Sequence, residues 1–143
     1  MAEDRYNRWQ GLGIAQLSVA VALISGLSVA GLGIGFSLLQ KEKLSLTAPF
    51  KYIFATSLLL LFIAVALSCS VVITRVLDFR LTARKVRKDR RPTYNKPLTI
   101  FGFDSDFYGQ ATWGLFWGSC ITFAVGGILL FVSIGVEYAN RLH

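Results

Sequence analysis

The chain has 143 residues, of which 54% are hydrophobic and 16% charged, and it carries a formal net charge of +7. Its mean hydropathy of +0.55 lies on the apolar side of ordinary soluble domains, which argues against a water-soluble globular fold. A chain this short leaves no room for an additional soluble domain, so we expect residues 1–143 to form one all-α membrane domain.

The first apolar segment covers residues 11–39 and contains no Asp, Glu, Lys, Arg or His. A helix needs ~20 residues, each rising ~1.5 Å, to cross the ~30 Å hydrocarbon core of a bilayer. The segment is much longer than the ~7 to 15 apolar residues of a signal peptide. Its flank also mixes Glu3 and Asp4 with Arg5 and Arg8. We therefore predict a retained transmembrane helix over residues 11–39.

A second charge-free segment covers residues 52–73, with Pro49 ahead of it as a helix-start signal. Because the connection before it is short, we expect the first two helices to form an antiparallel hairpin. No Gly or Pro follows until Pro92, so we predict that the second helix continues over residues 74–91, about four to five turns past the membrane core. One face of this extension is predicted to form a cytoplasmic basic surface, made of Arg80, Arg84, Arg87, Lys88 and Arg91.

The basic surface has two interpretations. It can bind anionic lipid headgroups, at about 1 kcal/mol per basic residue near the bilayer, or an acidic protein partner. Alternatively, it serves only to fix the topology of the chain. Aromatic residues do not alternate with the charges, which argues against nucleic acid as a partner.

Residues 92–109 form the next predicted segment, and they combine two prolines and two glycines with several large apolar residues. We expect this aromatic loop to lie against the inner membrane interface or the helix bundle, with a short turn around Gly102. Asp104 and Asp106 are close together here. Two carboxylates are too few for a cation site, so we interpret them as caps of the following helix.

The third charge-free segment covers residues 111–136 and completes a predicted fold of three transmembrane helices. The positive-inside rule sets the expected orientation. The second connection, residues 74–109, holds nine Lys and Arg, whereas residues 40–51 hold three. We therefore predict a multi-pass protein with its N-terminus in the cytoplasm and its C-terminus on the outer side.

Small residues recur at every fourth position in two of the predicted helices. Such residues share a helix face and allow two backbones to approach closely. The two rows are predicted helix-packing surfaces, either within the protein or between subunits: Ser18, Ala22, Gly26 and Ala30 in the first helix, and Gly114, Gly118, Thr122 and Gly126 in the third. A shorter row of Gly31 and Gly35 accompanies the first. We expect Gly114 and Gly118 to lie on a close helix contact.

Many Ser and Thr residues lie within the three spans, and they have two interpretations. They can line a polar path if several subunits surround an axis. Alternatively, each hydroxyl bonds the carbonyl about four residues earlier in its own helix.

Residue types that carry chemistry are sparse. The one histidine is His143, and Cys69 and Cys120 lie in separate spans, so we predict neither a metal site nor a cofactor. A serine nucleophile would have no nearby base, so we do not expect an enzyme. The sequence favours a homo-oligomeric channel or pore-forming effector with a basic cytoplasmic gate or sensor. The alternative is a non-catalytic accessory subunit that stabilises a larger membrane complex.

Overall fold

A computed structural model describes residues 2–40, 48–90, 100 and 102–142, with side chains described over 15–40, 50–84, 100, 102–104 and 106–139. The fold consists of three long helices, listed in chain order: α1 (Ala2–Leu39), α2 (Ala48–Arg90) and α3 (Ser105–Leu142). Each helix contains a segment long and apolar enough to cross a membrane. The predicted all-α fold with three transmembrane helices is therefore confirmed. The orientation of the termini remains a prediction.

Helix α2 is longer than a membrane crossing requires. Its 43 residues correspond to about 65 Å at ~1.5 Å per residue, roughly twice the ~30 Å hydrocarbon core. Because nothing in this stretch breaks a helix, α2 runs without interruption through Arg90. The predicted helical extension is confirmed to that residue, and Arg91 lies outside the described part of the chain.

The segment before α3 contains the expected turn. Ile100 and Phe103 exchange both backbone hydrogen bonds, at 3.2 and 3.1 Å, and Gly102 between them has a φ of 82°. This left-handed conformation favours glycine. Helix α3 then begins at Ser105, so residues 105–109 are helical although they were predicted to belong to the loop. Asp104 directly precedes the first helical residue, which is the position of a helix cap.

Helices α2 and α3 pack as an antiparallel pair. Gly126 lies against Leu61, Gly118 lies against Leu67, and the Thr112 and Thr74 hydroxyls are hydrogen-bonded. Residue numbers therefore rise on one helix as they fall on the other.

Helix α1 lies antiparallel to α2 on another side of the bundle. A Cβ added at Gly31 would lie 3.0 Å from Leu61, and one added at Gly35 would overlap Leu58. The Cβ added at Gly31 would also lie 3.8 Å from Leu130 of α3, so the three helices meet around a small core that includes Phe54, Leu61 and Leu130.

Buried residues recur at a period of seven on α1 and α3. On α1 the series is Val21, Ser28 and Gly35, and on α3 it is Thr112, Ser119, Gly126 and Ser133. On α2 the buried positions step alternately by three and four, at residues 54, 57, 61, 64, 68 and 71. A mean period of 3.5 is the pattern of coiled coils, in which small residues at the seam permit close approach.

Candidate helix-packing and ligand-binding surfaces

Along α3 the row of small residues begins on the exposed surface at Gly114 and reaches the contact with α2 at Gly126. A side chain at Gly114 would meet no described atom within 4 Å. A Cβ at Gly118 would lie 3.5 Å from Leu67, an ordinary contact, and one at Gly126 would lie 3.1 to 3.3 Å from Leu60 and Leu61. The structure thus brings Gly118 and Gly126 to α2, with Thr122 half-buried between them, and leaves Gly114 exposed.

The α1 row is exposed along its whole length, at Ser18, Ala22, Gly26 and Ala30. Ser18 and Ala22 border the space between α1 and α2, whereas Gly26 and Ala30 lie on the side of α1 away from the buried series. A Cβ at Gly26 or Gly33 would have no neighbour within 4 Å among the described residues. Gly26, Ala30 and Gly33 form what we call the outward α1 face. The helix contacts within the chain are made instead by Gly31 and Gly35, the shorter row.

Helix geometry explains why the two rows behave differently from the buried series. With 3.6 residues per turn, a step of four advances about 40° around the helix, so three steps from Gly114 to Gly126 rotate the row by about 120°. A step of seven drifts by only about 20°. The seven-residue spacing of Thr112, Ser119, Gly126 and Ser133 was therefore the better signal of the α2–α3 contact, and it was readable in the sequence.

Most of the buried hydroxyl groups bond carbonyls of their own helix. Ser28 donates to Ile24, Ser57 to Phe54, Ser119 to Phe116 and Ser133 to Leu129, over 2.6 to 2.8 Å. All four serines are 1% exposed or less. This arrangement agrees with the interpretation that these hydroxyls make local bonds, and it removes them from any surface that a second subunit could reach.

Ser68 is the exception among these groups. It is fully buried in the α2 series, and its Oγ has no hydrogen-bond partner among the residues that the structure describes. An unsatisfied buried hydroxyl typically costs about 1 to 3 kcal/mol. The described interior of the bundle therefore contains one hydroxyl whose burial is not offset by a hydrogen bond.

Polar residues cluster where α2 packs against the first turns of α3. The Thr112 hydroxyl lies 3.0 Å from the Thr74 hydroxyl and 2.7 Å from the Tyr108 carbonyl. One turn further along α2, the Asp78 carboxylate is close enough for its charge to interact with those of Asp106 and Arg75. At this end of the helix pair the two hydroxyls make a polar contact and the Asp78 and Asp106 charges repel each other, whereas the middle of the pair is packed with small and apolar side chains.

An aromatic cluster closes the same end of the bundle. The Phe103 and Phe107 rings are stacked at 4.3 Å between centroids, and both meet the Tyr108 ring edge-on. Tyr108 is buried, and its hydroxyl donates to the Ile100 carbonyl at 2.8 Å. These contacts fix the turn at Gly102 against the first residues of α3, and residues 92–99 and 101 of the predicted aromatic loop lie outside the described part of the chain.

The predicted basic surface lies largely beyond the described side chains. Arg80 is exposed and Arg84 is half-buried on α2. Arg87 and Lys88 belong to the same helix, whereas Arg91 falls outside the described residues. The role of this surface remains a prediction.

A groove separates the N-terminal half of α1 from α2. It has a volume of about 390 Å³ and is bounded by residues 18–25 of α1 and residues 71–79 of α2. Most of its lining is aliphatic, and the one charged residue that lines it is Arg75. The Arg75 guanidinium carbon lies 5.8 Å from the centre of the Phe79 ring, within range of a cation–π contact.

Within the described part of the chain, no group of three or more His, Cys, Asp or Glu residues is placed to hold a metal ion. Taken together, the helices define a multi-pass membrane protein of three spans, built on a tight α2–α3 pair with α1 at its side. Comparisons with known protein families, curated proteins and solved structures found no match to this chain.

Proposed function

We propose that the protein is a non-catalytic membrane subunit that assembles with a transmembrane helix of another polypeptide through the outward α1 face. The observation that carries this proposal is the exposure of Gly26, Ala30 and Gly33, where no described atom lies within 4 Å of a Cβ added at either glycine. Small residues of this kind let two helix backbones come into extensive van der Waals contact inside a bilayer.

The distribution of small residues supports the choice of α1 over α3. The α3 series is already used inside the protein, since Gly126 is buried against Leu61. The outward α1 face is not used in this way. Because lipid tails are as apolar as leucine, an exposed leucine would suffice for lipid contact, and a row of Gly and Ala is better suited to a helix partner.

The buried hydroxyls bear on the alternative of a homo-oligomeric channel. A channel without charged residues in its spans needs hydroxyl or backbone groups along its path. Ser28, Ser57, Ser119 and Ser133 are buried within the chain and bonded to their own helices. These four hydroxyls are therefore not available to line a path between subunits, which is why we favour the subunit hypothesis over the channel.

The test compares substitutions at two glycines where an added Cβ would meet no described atom within 4 Å. Gly26→Leu fills the outward α1 face. Gly135→Leu is the control, because a Cβ at Gly135 also meets no described atom within 4 Å, yet Gly135 lies on exposed α3 surface. Native mass measurement of protein extracted from its own membrane in mild detergent should show an assembly for wild type and Gly135→Leu, and loss of that assembly for Gly26→Leu.

The mass of the extracted assembly shows whether it contains other polypeptides or only copies of this chain. A complex containing other polypeptides supports the accessory-subunit proposal. A closed ring of identical chains, together with conductance in planar bilayers, would replace it with the channel. An assembly that survives Gly26→Leu unchanged would show that the outward α1 face is a lipid-facing surface.

A further inference from the structure

The groove between α1 and α2 combines an apolar wall with a single cation. Val21 and Ala22 line it from α1, and Val72, Val76 and Phe79 line it from α2. Arg75 also faces this groove. An apolar cavity with one fixed charge suits an amphipathic ligand, whose tail fills the cavity and whose charged group meets the side chain.

The position of Arg75 along α2 fits the membrane boundary. It is the first charged residue after the charge-free stretch that begins at residue 52. An arginine in this position keeps its aliphatic stem in the apolar region and extends its guanidinium toward the headgroups. The headgroup end of the groove is therefore at Arg75 and Phe79, and Val71 and Ser25 lie at its deeper end.

The dimensions of the groove match one lipid chain. Residues 71–79 span about 12 Å of helix at ~1.5 Å per residue, close to the ~15 Å depth of one leaflet of the hydrocarbon core. The groove volume of about 390 Å³ is within the range of small-ligand sites.

The nearby carboxylate does not occupy the groove. Asp78 interacts electrostatically with Arg75, but it also interacts with Asp106 of α3 and does not line the groove. The helix face that bears Thr74 is turned to α3, where Thr74 meets Thr112. Arg75 and Asp78 are neighbours three residues apart on α2, and of the two only Arg75 lines the groove, so the guanidinium is the charge that a groove ligand meets.

We propose that this groove binds one acyl chain of an anionic phospholipid, with the lipid phosphate beside the Arg75 guanidinium. The proposal does not depend on the proposed assembly through the outward α1 face. It predicts a specific site, distinct from diffuse attraction of anionic lipids to the basic surface that begins at Arg80.

The experiment measures lipid binding to the delipidated full-length protein by native mass spectrometry. The probes are phosphatidylglycerol and phosphatidylcholine with identical acyl chains, added separately. We expect one tightly retained phosphatidylglycerol per chain and weaker retention of phosphatidylcholine. Arg75→Gln should weaken phosphatidylglycerol binding about fivefold, the effect of one basic residue facing an anionic headgroup, and should leave phosphatidylcholine binding unchanged.

Two further variants separate the site from its surroundings. Arg80→Gln removes an exposed charge of the same helix outside the groove lining and should leave the retained lipid in place. Ser25→Phe places an aromatic ring in the deep end of the groove and should displace both lipids. Arg75→Lys keeps the positive charge and should retain most of the phosphatidylglycerol preference.

Three results would overturn the proposal. Equal losses for Arg75→Gln and Arg80→Gln would assign the preference to diffuse surface charge. Undiminished lipid retention by Ser25→Phe would place the acyl chain elsewhere. Absence of any retained phosphatidylglycerol on the wild-type protein would remove the site. Loss of the assembly in Gly26→Leu with lipid retention intact would refute neither proposal, because the two depend on different residues.

Discussion

The α2–α3 contact at Gly126 permits a quantitative test against a matched position. A Cβ added at Gly126 would lie 3.1 Å from Leu60 Cβ and 3.2 Å from the Leu61 backbone nitrogen. These distances are shorter than ordinary van der Waals contact, and the backbone cannot rotate away as a flexible side chain can. A methyl group at Gly126 therefore requires the two helices to move apart or to shift along each other.

The matched substitution is Gly135→Ala, on exposed α3 surface with no described atom within 4 Å of the added Cβ. Replacing glycine by alanine favours the helix at both sites, by up to about 1 kcal/mol in water. Because both variants gain this helix propensity, it cancels in the difference between their unfolding free energies. Overpacking a close contact typically costs about 1 to 3 kcal/mol, so we expect Gly126→Ala to be less stable than Gly135→Ala by about that amount.

The assay is reversible unfolding in mixed detergent micelles, followed by helix–helix separation and by circular dichroism. Separation reports the α2–α3 contact, and circular dichroism shows whether the helices themselves persist. A difference below about 0.5 kcal/mol between the two variants would refute the close contact at Gly126. A larger loss for Gly135→Ala than for Gly126→Ala would show that the exposed α3 surface is the packed one.

Two other predictions concern the polar end of the bundle and the topology. The Thr74 and Thr112 hydroxyls lie 3.0 Å apart, so replacing both residues by Val, singly and together, should give a coupling free energy of roughly 0.6 kcal/mol, the average for interhelical hydrogen bonds in membranes. If the effects of the two single substitutions on the unfolding free energy simply add in the double variant, the two hydroxyls are not hydrogen-bonded. With Cys69 and Cys120 replaced, a cysteine at position 95 should resist a membrane-impermeant thiol reagent in intact cells and react after lysis, since the nine Lys and Arg of residues 74–109 favour a cytoplasmic connection. Labelling in intact cells would reverse the predicted orientation.

The spans and the length of α2 could be predicted from the sequence because each depends on local chemistry. Charged residues are excluded from a hydrocarbon core, and their absence over residues 52–73 marks a span directly. Likewise, the lack of Gly and Pro before Pro92 leaves the helix no reason to end, and it continues through Arg90. Helix α3 begins at Ser105, inside the predicted loop of residues 92–109, although the interpretation of Asp104 and Asp106 as helix caps already indicated a start near this point.

The faces of the helices were harder to assign, because packing depends on neighbours that one helix does not reveal. Gly26 and Gly126 have the same residue type and similar four-residue spacing, yet Gly26 is exposed and Gly126 is buried. The groove at Arg75 was also not predictable, since it needs the distance between two helices and not the pattern of either. The placement of Ser68 without a partner had no sequence signal at all.

The seven-residue period has a consequence for how a partner would join. On α1 the buried series of Val21, Ser28 and Gly35 shares its spacing with the exposed pair Gly26 and Gly33. A strict period of seven makes packed helices wind around each other with a left hand. A partner helix that follows Gly26 and Gly33 would wind around α1 with the same left hand that this spacing predicts for the α1–α2 contact. One sense of winding would serve both neighbours, so docking on the exposed pair is compatible with the packing of Val21, Ser28 and Gly35.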